Sequence, residues 1–160
     1  MLFQGEVLSV AALLDVARTT PEAAPSRSVG VRHTAAQNAI ACRTLLTSGE
    51  SLDECWRFGI LQTLDDYTSP LRRGGPDLAA GVFTAEPPHT GAVEVDAALA
   101  EHLAERDGWQ TPRWALDASR HTEAWYPAVP AIFHADADQE SPEAFRQRGI
   151  LITSRSLARA

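Results

Sequence analysis

Two helix-start signatures stand close together in this chain: Thr34-Ala-Ala-Gln37 and Ser51-Leu-Asp-Glu54. Each sets a hydroxyl to accept from the backbone three residues on, and a longer polar side chain to return the bond, the arrangement of a capping box. Gly49 lies just ahead of the second box, where a glycine ends the first helix. The connection "SGES" is so short that the two helices must return antiparallel. No other feature constrains the fold as much. The first helix carries Ile40, Cys42, Leu45 and Leu46 as its apolar positions, and the second Leu52, Trp56, Ile60, Leu64 and Tyr67 at spacings of three and four.

The rest of the chain extends this helical pattern. Ser9 caps an expected helix with Val10, Leu13, Leu14 and Ala17 inward, followed by a loop over 19–30. "SPLRRGGPD", residues 69–77, reads as a turn-rich break, with a short helix over Leu78 to Phe83 and a loop at "AEPPHTG". Residues 92–106 form a further helix with Val95, Leu99 and Leu103 inward and His102 at the edge of that face. From Trp109 to Asp136 the texture changes, because three of the four tryptophans and three prolines fall there. Irregular backbone laid over the helices is expected, with aromatics supplying contact area. Trp114 reads as core, whereas Trp125 and Tyr126 suit a partner surface, where aromatics and arginine are the usual anchors.

The final unit is "ESPEAFRQRGILI". Ser141 is placed as an N-cap, Pro142 at the first helical position, Glu143 in the first turn and Gly149 as the stop. Phe145 is expected inward and Arg146 and Arg148 elsewhere, available to carboxylates or a partner. "ILIT" has the β-branched character of a short strand or an extended packing segment, before Ser154 caps a last turn. The expected class is therefore mainly α: one domain over 1–160, a helical bundle whose N-terminal helical part covers 9–67, with an irregular aromatic-rich C-terminal segment.

At 160 residues, 44% apolar and 22% charged, the chain has the composition of a globular domain. It lacks a basic-then-apolar leader and any apolar run near the roughly 20 residues needed to span a bilayer, which reads as cytoplasmic. A net charge of −7 opposes broad DNA binding, since phosphate contacts need a basic face. The one acid-free basic stretch is 144–160, with Arg146, Arg148, Arg155 and Arg159. The hairpin is not a DNA reader, because its second helix bears Asp53, Glu54, Asp65 and Asp66 against Arg57 alone. Phosphate-loop, nucleophile-elbow and zinc-protease motifs are absent, and with no lysine anywhere there is no Schiff-base chemistry. His134, Asp136 and Asp138, and His121 with Glu123, are the residue types that ligate metals, but neither group has the spacing of a zinc site, and no metal or other cofactor is expected. Cys42 and Cys55 read as buried free thiols.

The loop "EPPHTG", the helix "ALAEHLAERDGW", "PRWALD", the pair Trp125 and Tyr126, and "SPEAFRQRGILI" together give the region 86–160 a familiar character. It resembles a family of small actinobacterial proteins that look like antitoxins paired with nucleotidyltransferase-like toxins of the abortive-infection type. Members read Phe-Arg-Arg-Arg-Gly-Ile-Phe where this chain has Phe145 to Leu151, and favour Trp-Phe where Tyr126 stands; the apolar anchor and two charges are kept. The resemblance implies a non-enzymatic protein that neutralises a cognate toxin by direct contact, with Trp125, Tyr126, Arg146 and Arg148 as partner residues. The rival readings are a transcriptional regulator or autorepressor and a small metal-dependent enzyme.

Overall fold

The computed structural model describes residues 9–12, 15, 30–90 and 94–158. Of the helix expected from Ser9, Leu13, Leu14 and Ala17 lie outside these residues. The Ser9 hydroxyl accepts the Ala12 N–H at 3.2 Å, as a cap should. Val10, expected inward, is 74% exposed. Most of the 19–30 loop and Arg159 also lie outside the described residues.

Helix α1 (Ala35–Thr47) starts from the expected capping box: Thr34 Oγ1 accepts from the Gln37 N–H, and Gln37 Oε1 accepts from the Thr34 N–H at 2.9 Å. Its buried face is Ala35, Ala39 and Cys42, with Leu45 and Leu46 partly buried beside them. Ile40 is 50% exposed, which corrects its expected inward position: it lies between, not on, the small-residue positions. The chain reverses at Ser48 and Gly49 and enters α2 (Leu52–Cys55), where the Ser51 hydroxyl accepts the Glu54 N–H at 3.3 Å.

From α2 the helix continues through a π-wound stretch (Trp56–Leu61) into α3 (Gln62–Gly74). Trp56, Ile60, Leu64 and Tyr67 are buried as expected. The break expected at 69 does not occur there. Pro70 sits inside α3 and is buried, so side-chain packing outweighs one missing backbone bond; the helix ends only at the Gly74–Gly75 pair, and Pro76 opens α4 (Pro76–Ala80). Gly59 sets the approach of the two hairpin arms, because a β-carbon there would overlap the Cys42 sulfur. Both cysteines are buried free thiols, each facing the other's carbonyl: Cys42 Sγ lies 3.6 Å from Cys55 O and Cys55 Sγ 3.7 Å from Cys42 O.

A 3-10 turn (Gly81–Phe83) follows α4, and α5 (Val95–Asp107) then crosses the core with Val95, Leu99 and Leu103 buried. The aromatic-rich segment is irregular, as expected, with 3-10 turns at Arg113–Leu116 and Ala131–Phe133. Trp109 stacks on Phe83 with centroids 5.7 Å apart and donates from Nε1 to the Tyr67 hydroxyl at 2.8 Å. Trp114 donates to Phe83 O at 3.0 Å. Two short helices close the described chain, α6 (His134–Glu140) and α7 (Glu143–Arg146). Among the described residues there is no strand, so the protein is mainly α; the β-branched "ILIT" contributes only a single parallel bridge between Trp125 and Ile150. No described helix is long and apolar enough to cross a membrane.

Ser141 does not cap α7. Its hydroxyl donates to Ile150 O at 3.0 Å and faces the Ile152 N–H at 3.4 Å, tying the extended tail down instead. Gly149 has a φ of +79°, and a β-carbon there would stand 2.5 Å from Thr122 O, so both conformation and space demand glycine. Around it the tail is stitched to the irregular segment: Trp125 N–H donates to Gly149 O and Leu151 N–H to Trp125 O, each at 2.8 Å. The last turn, over 154–157, is closed by Thr153 N–H donating to Ser156 Oγ at 3.1 Å, while the Ser154 N–H is taken by Glu140.

Candidate functional site

The four partner residues expected from the sequence separate into different environments. Arg148 is buried: its guanidinium donates to Ala144 O and Ala115 O, each at 2.7 Å, and pairs with Glu101. It is a clamp between α7, the 113–116 turn and α5: of its two expected uses an internal carboxylate takes it, and its burial corrects its assignment as a partner-binding residue. A carbonyl pair inside the protein offers the guanidinium fixed acceptors, and once those bonds form the head is enclosed. Arg146 is exposed and meets Glu143 one turn back at 2.5 Å. Trp125 is half-buried, edge-on to Trp56 with centroids 6.1 Å apart, so much of its ring belongs to the core.

Tyr126 belongs to a different feature. Its ring stacks on His134 at 3.8 Å and 9°, and its hydroxyl donates to Asp138 at 2.8 Å; that bond pushes the phenol pKa up. His134 Nε2 lies 3.1 Å from Val129 O. Ala128 has a φ of +52°, the only non-glycine residue with positive φ among those described, and its N–H donates to Asp53 Oδ1 at 3.0 Å. A side-chain-bearing residue in that region is strained and persists where its surroundings hold it. The loop so fixed presents Ile132 and Phe133, 81% and 45% exposed. From 121 to 145 the sequence has five carboxylates and neither arginine nor lysine. The result is an apolar shelf on a hydrogen-bonded loop, with Asp136 and Glu140 of α6 beside it and Arg155 across from them in the same cleft.

His134 is packed against Tyr126, and the exposed His121 meets a backbone carbonyl. His134 and Asp138 bracket Tyr126, and His121 Nδ1 lies 2.8 Å from Ala118 O. Among the described residues, no group of three or more His, Cys, Asp or Glu side chains is arranged to hold a metal ion. His102, partly buried against Phe145 as its helix position implied, has its pKa lowered by burial. Burial first, and then Asp96, pushes the Cys42 thiol up to about 12, so it stays protonated and unreactive at neutral pH.

One cluster was not visible in the sequence. Arg120 is fully buried, donating to Glu94 at 2.8 Å, to Glu86 at 2.9 Å and to Pro87 O at 2.7 Å, with its guanidinium over the Trp114 ring. Glu94 also meets His89 Nδ1 at 2.9 Å. Asp96 is buried nearby, its Oδ1 without a hydrogen-bond partner among the described residues; desolvation and the Glu94 charge, opposed by Arg120, raise it to about 7. The cluster pins the 86–89 loop and residue 120 onto the start of α5. A cleft of about 640 Å³ beside it is lined by His89, Ser119, His121 and Trp125, among others. The signal that could have found it is weak: one arginine within a run of turn residues, and carboxylates just ahead of a helix.

Comparison with known proteins adds no relative. No protein-family model matches the chain, and neither curated proteins nor solved structures give a match.

Proposed function

We propose that the protein is an antitoxin-like binding protein, without catalysis of its own, that neutralises a nucleotidyltransferase-type toxin by direct contact through residues 126–140. The observation that carries this reading is the shelf itself. Ile132 and Phe133 are exposed on a loop held at the Ala128 N–H by Asp53 and at Val129 O by His134, next to Tyr126, whose hydroxyl is held by Asp138, so little conformational freedom is lost on docking. Its acidic border complements the basic cleft of a protein that handles nucleic acid, which steers encounter and sets orientation. The resemblance of residues 86–160 to antitoxin-like proteins supports this class of partner, and the exposed shelf supports this contact face.

The test begins with the reading frames beside the gene, one of which should encode a nucleotidyltransferase, and continues with co-expression of that protein and this one. Wild type should bind the toxin and restore growth. Ile132→Asp with Phe133→Asp should fold, since both side chains are already exposed, yet fail to rescue. Normal rescue by the double variant removes the shelf as the contact face; absence of binding and rescue by wild type removes the function. Salt-dependent DNA binding by the free protein would instead support a regulator.

A further inference from the structure

We propose that the cleft between the 128–133 loop, α6 and the terminal turn is a socket for one arginine side chain of the partner protein; this rests on the contact face assigned above and names what that face recognises. The cleft measures about 410 Å³. That is at the small end of the ~300–1,000 Å³ typical of ligand sites, room for a long side chain with its flanking backbone rather than for a large cofactor. Val129, Pro130 and Phe133 give it an apolar wall, and Asp136 and Glu140 stand on α6 at its rim.

The two carboxylates are set for a cation. Glu140 Oε2 accepts the Ser154 N–H at 2.8 Å, and that bond holds its carboxyl below the usual range, so it stays ionised. Asp136 is exposed and makes no ion pair with a described residue. Arg155 is the single cation among the lining residues and its charge is felt at Glu140; one cation against two carboxylates leaves the lining net negative. A long cationic side chain can lay its methylene stem along the apolar wall and keep its head at the rim. Arginine fits better than lysine, because its planar, weakly hydrated head forks onto carboxylates and it is a frequent interface anchor. An anion would meet like charge, and a purely apolar side chain would crowd water from carboxylates without replacing it. The strained Ala128 carbon lies in the same wall, so the socket is formed before binding.

The experiment is a titration of the full chain with N-acetyl-arginine amide, read by backbone amide NMR shifts. N-acetyl-citrulline amide serves as the neutral isostere. The arginine compound should give saturable shifts at Val129, Phe133, Asp136 and Ser154, with a Kd in the millimolar range, and citrulline should not. Asp136→Asn, checked as folded from its own spectrum, should raise that Kd about fivefold, the scale of one exposed ion pair. Equal shifts with both compounds, shifts confined to other surfaces, no saturable shift, or an unchanged Kd in Asp136→Asn would each overturn the socket. The titration contains no toxin, so its failure leaves the rescue assay free to uphold the contact face, and failure of rescue leaves the titration result standing.

Discussion

Residues 34–83 satisfy their backbone inside helices, whereas residues 109–152 satisfy much of theirs with side chains and single cross-links. In the first region α1 and the helix from Leu52 to Gly74 meet through small residues, with Ala39, Cys42 and Gly59 at the contact. In the second, Ser141, Arg120 and Arg148 hold carbonyls that no helix or sheet would occupy. The helical region therefore loses mainly contact area when a side chain is shortened. The C-terminal region also strands buried polar groups, and each such group costs its desolvation.

The largest effect should come where the regions meet. Phe145 is buried edge-on to Trp56 at 6.4 Å and to His102 at 5.8 Å. Phe145→Ala should lower unfolding free energy by ~3–5 kcal/mol in urea titrations. A loss within experimental error would mean that the terminal unit folds independently of the helical region.

Arg148→Ala should come next, at about 3 kcal/mol, because it leaves two buried carbonyls without their donor and Glu101 with only its hydrogen bond from Gln147. Equal destabilisation by Arg148→Met would point to the guanidinium bonds; near-wild-type stability of Arg148→Met would assign the effect to packing and weaken the contrast between the regions.

Asp96 offers a pH-dependent test of the buried cluster. Its folded pKa, raised to about 7 from 3.8, means that the folded protein binds a proton more tightly than the unfolded chain. The corresponding stability is full below the unfolded value and is lost as pH rises through the folded one, so melting temperature should fall from pH 4 towards and past 7. Asp96→Asn should flatten this window. An unchanged slope would show that Asp96 is ionised throughout. The smallest effect is expected from Arg146→Ala, ~1 kcal/mol or less, since its pair with Glu143 is exposed.

The helical region was legible because caps and periodicity are local. Thr34, Gln37 and Ser51 act within one turn of themselves, and Trp56, Ile60, Leu64 and Tyr67 need only helical spacing to share a face. Where the reading failed, a distant partner decided. Pro70 continues a helix because packing covers it, and Ile40 turns outward because alanines make the contact. In the candidate site, Tyr126 could be named from its type and neighbourhood, but Ala128, Ile132 and Phe133 could not: their role depends on Asp53, which lies far away along the chain.

What the sequence determined by itself is the mainly helical class, the hairpin, the buried Phe145 and the irregular aromatic cover, since each follows from local propensity and apolar pattern. Tertiary structure alone decided the fate of the polar residues outside the helix caps. Arg146 and Arg148 stand two positions apart with the same charge, yet one faces water and the other is enclosed by Ala115, Ala144 and Glu101. A hydroxyl or guanidinium takes whichever acceptor the fold brings within about 3 Å, and only the folded chain fixes which acceptor that is.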